Sequence, residues 1–72
     1  MPMTAEEYKD VTIRNFNGTA ADADRQIAFW TKELESCETD AIREATQGLI
    51  DTYTALSAFS TAAALALEDV AT

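Results

Sequence analysis

The stretch TDAIREATQGLIDTYTALSAFSTAAALALEDV, residues 39–70, decides the fold. It holds no proline, and its apolar residues recur every seventh position. Ile42, Leu49, Leu56, Ala63 and Val70 form one row, and Ala45, Thr52, Phe59 and Ala66 form a second. Two such rows make a stripe along one side of an α-helix, as in the seam of a coiled coil. Thr39 can cap the helix start and Asp40 suits its dipole, so the pattern predicts a helix from about Asp40 to about Asp69. Beside the stripe runs a row of small residues, Ala41, Gly48, Ala55 and Ala62, over which another helix backbone can approach closely. Gly48 costs roughly 1 kcal/mol relative to Ala in mid-helix, so it implies either that close approach or a kink.

Working outward toward the N-terminus, Thr4-Ala5-Glu6-Glu7 fits a capping box, in which hydroxyl and carboxylate satisfy the free amides of a helix start. The helix it opens is expected to stop at Asn17-Gly18, a pair suited to the left-handed conformation that ends helices. Its buried stripe draws on Tyr8, Val11, Thr12 and Phe16, with Ile13 at the edge. A second short helix then follows, capped near Thr19, with Asp22 and Asp24 in its first turn and an end around Ser36 to Glu38. In it Ala23, Ile27, Trp30, Leu34 and Cys37 share one face. The expected fold is all-α: two short helices and one long C-terminal helix in a single domain, residues 1–72.

The chain has 72 residues, five basic and thirteen acidic, with net charge −8. So short a chain buries only about 60% of its unfolded surface and commonly needs a disulfide, a metal or a partner. A lone cysteine, Cys37, cannot pair within the chain, and histidine is absent. Oligomerisation is the support that remains, so the bundle is expected to be completed by further copies. Nucleic acid and anionic membranes are not expected as partners, because both are bound through clustered Lys and Arg. The uncharged run between Asp51 and Glu68 is too short for a bilayer and carries five Ser and Thr side chains. Glu6, Glu7 and Asp10 stand where a signal peptide would be basic and then apolar, so a cytoplasmic location and a free Cys37 thiol are expected. Asn17-Gly18-Thr19 matches a glycosylation pattern that has no meaning there.

Candidate chemistry is sparse. Cys37 has Glu35, Glu38 and Asp40 as neighbours and no histidine base, the reverse of what activates a thiolate, so it reads as a packing residue. Glu33, Glu35, Glu38, Asp40 and Glu44 are dense in carboxylate but lack the spacing of a calcium loop, and residues two apart on a helix diverge. No cofactor and no metal are expected. Phosphate loops, dinucleotide fingerprints, zinc sites and hydrolase elbows each need Gly, His or Cys that the sequence does not hold.

What remains is binding without catalysis. The leading expectation is a self-assembling or virion-like structural module, with Ala41, Gly48, Ala55, Leu56, Phe59 and Ala62 as the self-association surface. Phe29 lies about 100° from Trp30 on its helix. If Trp30 joins the core, Phe29 is free to meet a partner protein, together with Glu33, Glu35, Glu38 and Asp40. The alternative is a small phage-type, anti-CRISPR-like inhibitor of a defence or nucleic-acid-processing protein, acting by occupying a basic surface.

Overall fold

The computed structural model describes residues 2–71; Met1 and Thr72, the ends of the expected domain, lie outside them. The described residues form an α-helical hairpin, α1 over Ala5–Leu34 and α2 over Asp40–Glu68, with no strand. The all-α expectation therefore holds, whereas the division into two short helices and one long one does not. Thr4 and Thr39 cap the two helices as their sequences imply, Thr4 Oγ1 accepting from the Glu7 amide at 3.1 Å and Thr39 Oγ1 from the Ile42 amide at 3.2 Å. The end of α2 also falls within a residue of the expected one.

The break expected at Asn17-Gly18 is absent, and α1 runs through it for 30 residues. Among the described residues no φ is positive, so Gly18 is an ordinary helical residue. The reason is phase. Phe16, Ala23, Trp30 and Cys37, with Ile13, Ala20, Ile27 and Leu34, keep one heptad register on both sides of Gly18, and all eight are buried or half-buried. A turn there would rotate half of this face away from α2, a loss greater than the roughly 1 kcal/mol that Gly costs in mid-helix. Consequently Thr19 caps nothing; its hydroxyl donates to the Asn15 carbonyl inside the helix. Asp22 and Asp24 lie in mid-helix, Asp22 paired with Arg25. The helix ends at Leu34, short of the expected Ser36 to Glu38.

The face from Ala23 to Cys37 meets α2 as read from sequence, while Tyr8, assigned to the buried stripe, is exposed. On α2 the observed contact row is Thr46, Ile50, Tyr53, Ser57, Ser60, Ala64 and Leu67. This is the expected heptad displaced by one residue, a rotation of about 100°. Ile42, Leu49, Leu56, Phe59 and Val70, expected in the core, are exposed. Sequence period fixes the pitch of a seam, but the neighbouring row is also apolar at Ile50, Tyr53 and Leu67, so the phase is set by what fits α1.

What fits is a tight, partly polar seam. The buried residues are Ala20, Ala23, Thr46, Ser60 and Ala64, and none is larger than Thr. Small side chains at the crossing let the backbones approach closely. Ser57 Oγ donates to the Asp24 carboxylate at 2.6 Å, and Lys9 Nζ donates to the Glu68 and Val70 carbonyls at 3.4 and 2.8 Å. The lysine thus places a cation on the free carbonyls of the α2 C-terminus, where the helix dipole favours it. The hairpin measures 53 × 22 × 14 Å, with a radius of gyration of 16.5 Å. A compact domain of this length has about 11 Å, so two helices side by side leave much of their apolar surface uncovered.

Candidate functional site

The feature that stands out is a broad side of the hairpin. Helical spacing puts Ile42, Leu49, Leu56 and Val70 along one flank of the α2 contact row, with Thr52 and Phe59 just outside them. Phe16 of α1 meets Phe59 edge to face, ring centroids 6.1 Å apart, which fixes this as the side where the α1 aromatics also emerge. Tyr8 lies near Val70 across an open groove of about 530 Å³ at the free end of the hairpin. Phe29 and Trp30 pack edge to face at 4.9 Å, and Phe29 remains 53% exposed. Ile42 is 55% exposed, Leu56 40% and Phe59 63%. Leu65, also exposed, lies away from this row.

The small row Ala41, Gly48, Ala55 and Ala62 lies beside this surface and is exposed along its whole length. A Cβ added at Gly48 would meet no atom within 4 Å, so the hairpin itself gives no packing reason for that glycine. α2 runs through Gly48 without interruption from Asp40 to Glu68. Leu56 and Phe59 therefore stand with the four small residues on one helix side, as a single uncharged strip.

The other named residues gather at the turn, residues 35–39. Glu33, Glu35, Glu38 and Asp40 are all exposed, and Asp40 accepts from Arg43 at 3.0 Å. Arg43 also donates to the Cys37 carbonyl at 3.1 Å, tying the turn to the start of α2. Cys37 is half-buried, its Sγ 3.5 Å from the Glu33 carbonyl and 3.6 Å from Thr46 Oγ1. Phe29 and Glu33 are neighbours four residues apart on α1, while Glu35, Glu38 and Asp40 lie beyond the end of that helix. Among the described residues no three carboxylate or thiol side chains are placed to hold a metal ion, and no helix is long and apolar enough to cross a membrane. The opposite broad side is acidic, with Asp24, Glu44 and Asp51 spaced along it.

No protein-family model, no curated protein and no solved structure matches this chain. The signal for the uncovered face was present in the sequence, because the heptad rows of α2 hold more apolar side chains than one partner helix can cover.

Proposed function

We propose that this chain is a non-catalytic α-helical protein-interaction module that acts in a self-assembling or virion-like structural role through the outer face of α2. One observation carries the reading: no side chain larger than Thr is buried within the hairpin, while Ile42, Leu49, Leu56, Phe59 and Val70 are exposed. A compact monomer of 7.8 kDa has about 4,400 Å² of accessible surface, and this hairpin has 5385 Å². The excess, about 1,000 Å², is total surface that an elongated hairpin leaves uncovered, and it is comparable with the roughly 800 Å² that each partner in a specific interface typically contributes. Sedimentation equilibrium at tens of micromolar tests the reading. The expected result is a particle heavier than one chain; a folded monomer throughout that range refutes self-assembly.

A second reading is favoured by the acidic side and the net charge of −8. In it the chain is an inhibitor, anti-CRISPR-like in manner, that covers a basic surface on another protein. Glu44→Lys with Asp51→Lys would then abolish binding to a cationic partner and leave the chain's own mass in solution unchanged.

A further inference from the structure

We infer that α2 pairs antiparallel with α2 of a second copy, about a two-fold axis that crosses the outer face of α2 at the level of Thr54, to close a four-helix bundle. This rests on the self-assembly reading and specifies its geometry.

The first support is angular. The exposed row is the α1-contact row displaced by one residue, so the two faces of α2 lie about 100° apart. A helix at the corner of a four-helix bundle meets its two neighbours at close to a right angle. Charge gives the second support. The chain carries −8, yet between Ala41 and Ala66 the outer rows of α2 hold no charged residue. It is the strip on which two such chains can meet without bringing carboxylates together.

Register gives the third. α2 spans Asp40–Glu68, so its midpoint is Thr54. Full antiparallel overlap places each residue opposite the one equally far beyond Thr54 in the other copy. Leu49 of one copy then meets Phe59 of the other, Thr52 meets Leu56, and Ile42 meets Ala66. Every layer takes one residue from each heptad row, and bulky residues at the outer layer are matched with small ones. A slide that restores the layers loses overlap at the helix ends.

Orientation is selected by the turn. Parallel pairing would set two clusters of Glu33, Glu35, Glu38 and Asp40 side by side. Antiparallel pairing puts them at opposite ends of a particle 53 Å long, several Debye lengths apart at physiological salt, where one such length is about 8 Å.

The test uses short bismaleimide crosslinking in the full-length chain, with Cys37→Ser as parent and sedimentation equilibrium run on each variant. Ala55→Cys lies next to the axis and is expected to give a covalent dimer. Ile42→Cys alone is expected to give none, since its two copies would lie about 36 Å apart along the helices. Mixing Ile42→Cys with Ala66→Cys is expected to give the crosslinked heterodimer. A dimer in which Ile42→Cys links to itself, or in which Ala55→Cys does not link, overturns this arrangement and leaves self-assembly standing. A parent that sediments as a monomer overturns both. Leu56→Glu, which would bury a charge beside the axis, is expected to weaken the dimer on the order of a hundredfold or more; unchanged association overturns the geometry.

Discussion

Gly18→Ala separates a continuous α1 from a chain that turns at Asn17-Gly18. In the hairpin Gly18 has helical backbone geometry, and a Cβ placed on it meets no atom within 4 Å. The substitution then changes little except helix propensity and the entropy of the unfolded chain, and both favour Ala by about 1 kcal/mol. For a domain of this size, 1 kcal/mol moves the melting temperature by roughly 4–8 °C. Thermal unfolding followed by circular dichroism at 222 nm, at one fixed chain concentration because association would shift the midpoint, should show a rise of that order. Were Gly18 a left-handed residue ending a helix, Ala would instead cost about 1–2 kcal/mol, and the midpoint would fall. A fall refutes the 30-residue α1.

The seam between the helices gives the remaining expectations. Ala64→Leu forces a larger side chain into the tight crossing and should destabilise by about 1–3 kcal/mol in chemical denaturation, whereas Ala58→Leu, on an exposed position, should change stability little. Ser57→Ala removes the bond to the Asp24 carboxylate and should cost about 1 kcal/mol, with Asp24→Ala adding little more in a double-mutant cycle. Thr39→Ala removes the α2 cap and should cost about 1 kcal/mol, read as faster amide exchange in the first turn of α2. Ser60 Oγ is buried without a hydrogen-bond partner, so Ser60→Ala should stabilise by about 1 kcal/mol; a loss of stability would mean the hydroxyl is satisfied.

Much of the architecture is legible in the sequence because it is written locally. Thr4 and Thr39 specify helix starts through hydroxyls that reach amides three residues on, and the structure has both bonds. The face of Ala23, Ile27, Trp30, Leu34 and Cys37 is likewise set by spacing alone. Gly18 misleads because a local stop signal and a long-range register compete there. The local signal, Asn-Gly, is evident over two residues. The register that overrides it needs Ile13, Phe16, Ala20 and Ala23 to be read as one face across the glycine.

The phase of α2 fails for a different reason. A heptad repeat states that a seam exists, yet α2 carries two adjacent seams, and spacing cannot say which one α1 occupies. Volume and polar pairing decide it: the residues buried between the helices are small, Ala20 and Ala23 on α1 and Thr46, Ser60 and Ala64 on α2. Asp24 then finds Ser57, and Lys9 finds the carbonyls of Glu68 and Val70, contacts that a rotation of about 100° would break. The row of larger side chains is thereby left outside. The same choice that makes the hairpin narrow gives it an uncharged outer strip, and the exposed Leu49, Leu56 and Phe59 on that strip are the ones available to another chain.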